Sequence, residues 1–250
     1  MTSTPLPTSG PLPVLILHTG DPDESLLASH GSYAEMMRTA AGLSPDEVHI
    51  VRVFEDQIPL EPASYRAALI TGSPAMVTDQ EPWSERTADW IRRAAEQSLP
   101  MFGVCYGHQL LAHALGGKVD YNPRGRELGT HVIECLPDAL HDPLLGAAPP
   151  QFSAQLVHAQ SVTALPTGAV VLARSAMDPY QCVRLSPTIY STQFHPEFDA
   201  DFLHAHLLRY RKAYSREGLD IDALTAGLDK TPIAAGLLKR FLMLHNATSH

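Results

Sequence analysis

Three residues in this sequence have types and neighbours suited to acyl-transfer chemistry. Cys105 stands in "MFGVCYGHQLLAHALGG" (101–117), between Gly103 and Gly107. The apolar lead-in reads as a strand and the run after it as a short helix, so the cysteine falls where one gives way to the other. A Gly-x-nucleophile-x-Gly elbow needs small neighbours, because strand and helix approach closely there. The thiol would sit at a helix N-terminus, where roughly half a positive charge favours an anion. Such sites bring a cysteine pKa from about 8.5 into the range of about 3.5–7.5. The N–H of Tyr106 would point to the same place, available to a developing oxyanion. A cysteine at a strand end is more often a small buried hydrophobe. The two glycines separate Cys105 from Cys135 and Cys182, which lie in strand-like runs and read as packing.

A nucleophilic thiol needs a base, and the base needs an orienting acceptor. Thirteen histidines make any single one weak evidence. His108 and His113 lie on the helix leaving the elbow; His204 and His206 are two apart in a helical run and point to different sides. "TIYSTQFHPEF" (188–198) differs: a β-rich run delivers His195 at its end, and Glu197 follows two residues later. In extended backbone those two share a side, and Pro196 stiffens the spacing. His-x-Glu also opens the zinc deaminase signature, but the Pro-Cys-x-x-Cys it requires is absent. Three cysteines without CxxC spacing build neither a disulfide framework nor a zinc site. No metal and no cofactor is expected, and a cytoplasmic setting fits.

The elements that must position these residues read as a sheet with helices. Of 250 residues, 44% are hydrophobic and 18% charged, an ordinary globular balance. The net charge of -9, with no dense Lys/Arg run, argues against a nucleic-acid binder. No apolar stretch approaches the roughly 18 residues of a membrane span. The stretch 1–13, rich in Pro, Ser and Thr, has no basic lead and reads as a disordered tail rather than a signal peptide. "VLILH", "VHIVRVF", "YRAALITGSP" and "LPMFGV" are strand candidates alternating with helical runs, the pattern of a parallel sheet covered on both faces. Between 117 and 192 shorter strand-like runs suggest an antiparallel flank. After "HPEF" the chain turns helical, with Leu203, Leu207, Tyr210 and Tyr214 on one stripe and a helix start at Thr231-Pro232. The division expected is 1–13 tail, 14–198 catalytic α/β domain and 199–250 helical extension. That stripe suits docking on the same domain, or else a dimer or partner surface.

"GVCYGHQLLAHALGG" followed by "QFHPEF" resembles the class I (triad) glutamine amidotransferases, with "ITGSP" where that family has its oxyanion loop. The resemblance runs over about 14–198 and is nearest to stand-alone relatives of the amidotransferase domain of GMP synthetase. It implies a flavodoxin-like α/β fold. It implies Cys105 as nucleophile, His195 as general base and Glu197 as its orienter, with the N–H groups of Gly72, Ser73 and Tyr106 around the oxyanion. Gln109 and His158 would contact the substrate's amino-acid end. Two positions depart from the family: Gly-Gly-Pro reads Gly72-Ser73-Pro74, and Gln160 stands where synthetase domains often have an acidic residue. Neither a synthetase domain nor a phosphate loop is expected from the residues after Phe198. The expected substrate is therefore glutamine or another γ-glutamyl amide, cleaved by this chain alone. The alternatives are a glutaminase subunit feeding a separate synthetase, a cysteine hydrolase using Asp178, and a non-catalytic regulator on an inactive fold.

Overall fold

The computed structural model describes residues 11–246, so most of the expected tail at 1–13 lies outside the described residues. In chain order the first half comprises β1 (Val14–His18), α1 (Glu24–His30), α2 (Tyr33–Ala40), β2 (Val48–Arg52), β3 (Ala67–Ile70), α3 (Pro82–Glu96), β4 (Met101–Val104) and α4 (Tyr106–Ala114). Seven strands follow: β5 (Lys118–Tyr121), β6 (Glu127–Cys135), β7 (Gln151–His158), β8 (Gln160–Ala164), β9 (Val170–Arg174), β10 (Cys182–Ser186) and β11 (Ile189–Thr192). Helices α5 (Ala200–Arg209), α6 (Arg211–Arg216), α7 (Ile221–Ala226), α8 (Pro232–Ala235) and α9 (Leu237–Asn246) complete the described residues.

Among the described residues, nine strands form one sheet in the order β2-β1-β3-β4-β11-β10-β9-β6-β7. The first five run parallel. That is the flavodoxin-like order, which binds ligands beyond the carboxyl ends of its strands. β10, β9, β6 and β7 continue the sheet antiparallel. The run "AQLVHAQSVT" divides at Ala159: β7 stays in the large sheet, while β8 leaves it to pair with β5 in a separate two-stranded ribbon. The sequence suggests the flank but not this departure.

Alternation along the buried strands sorts the core into two layers. Val14, Ile16, Leu69, Phe102 and Val104 face one side with Met37 of α2 and Phe241 of α9. Leu15, Leu17, Ile70 and Met101 face the other, under Ile91 of α3 and Leu110 of α4. The last helix therefore covers the main sheet, its Phe241 ring 5.3 Å from Phe102. The expected stripe is interrupted at Tyr210, where α5 ends and α6 begins. Leu207 and Tyr214 pack there against Leu128 and Ile221. None of the described helices is long and apolar enough to cross a membrane.

Candidate active site

The carboxyl ends of β1, β3, β4 and β11 converge on one cavity of about 280 Å³, lined by Ser73, Cys105, Tyr106 and His195 among others. Cys105 ends β4 and caps α4 at φ 51° and ψ −101°, a left-handed setting for a residue with a Cβ. Strain of this kind costs about 1–3 kcal/mol and persists only where the surroundings fix it. Its N–H donates to the Thr192 carbonyl at 2.8 Å, and the next-but-one N–H, from Gly107, to Thr71 at 3.1 Å. A Cβ on Gly103 would meet the carbonyl oxygen of Gly107 at 2.4 Å, and one on Gly107 would meet that of Ile70 at 2.5 Å. Both glycines are thus required by close approach of strand and helix. The thiol faces the Val157 carbonyl, 3.6 Å from Sγ.

His195 leaves β11 and bridges to β7, its N–H donating to the Gln155 carbonyl at 2.8 Å. Its Nδ1 donates to Oε1 of Glu197 at 2.7 Å, with both side chains buried. The ring lies flat on Phe198, centroids 4.0 Å apart and planes 4° from parallel. Burial alone would lower the imidazole pKa. The Glu197 carboxylate and the Cys105 sulfur beside it outweigh that and push it up to about 10. A Cβ at position 72 would lie 3.0 Å from Cε1 of His195 and 3.7 Å from Cβ of Cys105. Gly72 therefore leaves the space in which the cysteine and the histidine meet. Its carbonyl accepts the Thr19 hydroxyl at 2.9 Å, and the Ser73 hydroxyl donates to the Thr19 carbonyl at 2.7 Å, which pins the 72–74 turn. Tyr106 is held by Ser84, oxygen to oxygen 2.6 Å, and by Trp83 stacked on its ring.

Gln109 and His158 also line the cavity, but their polar atoms are largely occupied. The Gln109 amide donates to the Gln160 carbonyl at 2.8 Å and to Gln193 at 3.0 Å. His158 has Nδ1 2.9 Å from the Gln160 carbonyl and Nε2 2.8 Å from Glu127. Glu127 takes further bonds from Ser175 and Gln181, and burial raises the carboxyl pKa of nearby Asp178. One ligand atom each from Glu127, His158 and Asp178 lies within 4.8 Å of the others, so the trio has the composition of a cation site. Its hydrogen bonds to the protein describe a buried network bracing the β7–β8 turn. Asp178 accepts from the N–H of Tyr180 in a turn, away from His195 in the hydrogen-bond pattern. His108 pairs with Ser191, and His113 with Glu85.

Sequence reasoning did not find the opposite wall. Tyr33 of α2, Arg126 before β6, and His206, Tyr210, Tyr214 and Glu217 of the helical extension all face the cavity. Arg126 holds Glu217 through two bonds, 2.8 and 3.1 Å, with its guanidinium 5.2 Å from the Tyr214 ring centroid. His206 bonds the Tyr214 hydroxyl at 2.7 Å; burial and then the charges of His195 and Arg126 lower its pKa to about 4. Only the Tyr210–Tyr214 spacing carries a sequence signal.

The model of the glutamine amidotransferase class-I family matches residues 26–211. The chain belongs to that family. A GMP synthase of Thermomicrobium roseum is 34% identical over 188 residues, 75% of this chain and 34% of that protein. The chain therefore spans about a third of the length of that relative. Gamma-glutamyl peptidase 4 of Arabidopsis thaliana is 27% identical over 76% of this chain and 77% of its own. Among solved structures, a glutamine amidotransferase from Thermotoga maritima superposes with a TM-score of 0.75 at 18% identity, covering 95% of this chain and 99% of that one. That likeness fixes the fold: an α/β sheet of the class I amidotransferase kind.

Proposed function

We propose that this protein is a self-sufficient hydrolase of γ-glutamyl amides, glutamine among them. The observation that carries this reading is the strained Cys105 elbow beside a buried His195–Glu197 pair, with Gly72 opposite both. The Cys105 thiolate attacks the γ-carbonyl carbon, and the oxygen takes the electron pair toward the N–H groups of Gly72, Ser73 and Tyr106. One such donor is worth about 10²–10³ in rate. The tetrahedral centre collapses, the C–N bond breaks, and the departing nitrogen takes its proton from Nε2 of His195. A γ-glutamyl thioester remains on Cys105. His195 then removes a proton from water, the resulting hydroxide attacks the thioester, and glutamate leaves with the thiolate restored. Glu197 holds the ring and stabilises its cationic form throughout. Gln109 and His158 act at the amino-acid end of the substrate chiefly by fixing the Gln160 backbone they both bond.

The match to 77% of a gamma-glutamyl peptidase supports cleavage without a partner. The match to about a third of a GMP synthase supports a second reading, in which ammonia passes to a separate synthetase. Steady-state release of glutamate by the purified protein alone, from glutamine and from γ-glutamyl amides, separates the two. Turnover that vanishes in Cys105→Ser is the expected result. A silent protein whose Cys105 is still alkylated by a glutamine analogue would decide for the synthetase-dependent subunit.

A further inference from the structure

The cavity has two unlike sides. Toward Gln109, Ala159 and Gln160 the surface is backbone and amide. Toward His195 it is aromatic: Phe198 covers the imidazole face, Tyr33 lies 5.7 Å from Phe198, and His206, Tyr210 and Tyr214 continue outward. His206 is 4.8 Å from Tyr210 and 5.9 Å from Tyr214 between ring centroids, and the two tyrosines are 5.9 Å apart. The Arg126–Glu217 pair stands beyond them, backing Tyr214. Tyr210 is only partly buried: its ring rests against the Phe198–Phe202 and Leu207–Tyr214 clusters on one side and lines the cavity on the other.

The chemistry fixes which side receives the leaving amine. Its nitrogen takes a proton from His195, so whatever that nitrogen carries must lie on the His195 side. Ammonia needs none of this surface. We infer, on the hydrolase reading given above, that the aromatic side of the cavity is a leaving-group subsite, and that the substrates are γ-glutamyl amides of amines bearing an aromatic ring. Tilted and stacked contacts at 4.5–7 Å between ring centroids are the geometry aromatic groups favour. Tyr210 is the specificity residue because its ring is the least enclosed. The reaction is unchanged by this assignment: the C–N bond breaks, the amine leaves protonated, and water completes glutamate.

The test compares kcat/KM for L-glutamine, γ-glutamyl-methylamide and γ-glutamyl-benzylamide with the intact chain, Tyr210→Ala and Tyr210→Phe. The benzylamide is expected to exceed the methylamide by at least about 10-fold, a ratio a single well-filled apolar pocket supplies. Tyr210→Ala should bring that ratio near one, and Tyr210→Phe should keep it. A methylamide or glutamine cleaved as well as the benzylamide overturns the subsite and leaves the hydrolase reading standing. A Tyr210→Ala protein that loses all three activities in equal proportion also overturns it, because the ring would then be structural. Release from none of the three overturns both readings.

Discussion

The sheet wall and the helical wall of the cavity are built by opposite means. On the sheet side, Cys105, Gly72 and Tyr106 stand where backbone puts them: ladder bonds from Cys105 to Thr192 and Gly107 to Thr71, a left-handed φ, and glycines with no room for a methyl group. On the helical side, side chains do the placing: Arg126 to Glu217, His206 to Tyr214, Arg209 to Asp23. Backbone geometry is common to any sequence that folds this way, whereas a side-chain contact is lost by one substitution. The proposed chemistry therefore resides in the topology, and the proposed choice of amine in residues that can change without disturbing it.

The strongest way to sharpen that contrast is to remove the proposed nucleophilic sulfur and then a backbone clearance. Cys105→Ala is expected to lower glutamate release by at least about 10³-fold, the scale seen when one member of a catalytic triad is lost. The fold should be retained, because alanine keeps the Cβ and removes only the sulfur, which faces the cavity; circular dichroism checks this. Gly107→Ala acts the other way round. Its Cβ would meet Ile70 backbone oxygen at 2.5 Å and the Ile70 side chain at 2.9 Å. Overpacking of that kind costs about 3 kcal/mol, more than the roughly 1 kcal/mol that alanine gains over glycine in a helix. A melting midpoint unchanged from the parent protein would show that the elbow yields more easily than these distances allow.

These two walls also differ in how far the sequence discloses them. The elbow is legible because its physics is local: two glycines flanking one cysteine at a strand–helix junction. His195 and Glu197 are legible because residues two apart in extended backbone share a side. The alternation of apolar runs and helices likewise announces the parallel half of the sheet. What is not legible depends on distant convergence. Arg126 and Glu217 are 91 residues apart, and nothing near either one marks the other. The division of 155–164 into β7 and β8 depends on β5 being within reach, and periodicity cannot show that. The break of the helical stripe at Tyr210 is equally hidden, since Leu207 and Tyr214 keep the same apolar spacing on either side of it.

Acid should cost stability through a buried histidine in each wall. His206 is neutral in the fold with a pKa lowered to about 4, against 6.5 when exposed. Between those values the unfolded chain binds a proton that the folded chain excludes, so stability is fully present above about pH 6.5 and is lost as pH falls toward 4. At about 1.4 kcal/mol per unit the loss is about 3 kcal/mol at most. His108, lowered to about 3 by burial, adds a similar slope on the sheet side, and a His206→Gln comparison isolates the helical share. The variant's denaturation midpoint should fall less between pH 7 and pH 4.5 than that of the parent. Equal falls would mean that His206 is reached by solvent in the folded state.

The smallest expected effect tests whether the outer pair is a brace or an ornament of the surface. Arg126 is 22% exposed and Glu217 43%, with bidentate geometry. Pairs this open contribute about 0.2–1 kcal/mol in double-mutant cycles, and a partly exposed cation over the buried Tyr214 ring adds about 0.5–2 kcal/mol. Arg126→Ala should therefore cost more than Glu217→Gln, because it removes both the ion pair and the contact with Tyr214. Raising salt to 1 M, where charges are screened within about 3 Å, should erase most of the coupling between the two positions and leave the Tyr214 contribution in place. Equal costs for the two variants would mean that the guanidinium contributes only its charge, and Tyr214 would then owe its position to His206 and the Leu128–Leu207–Ile221 cluster alone.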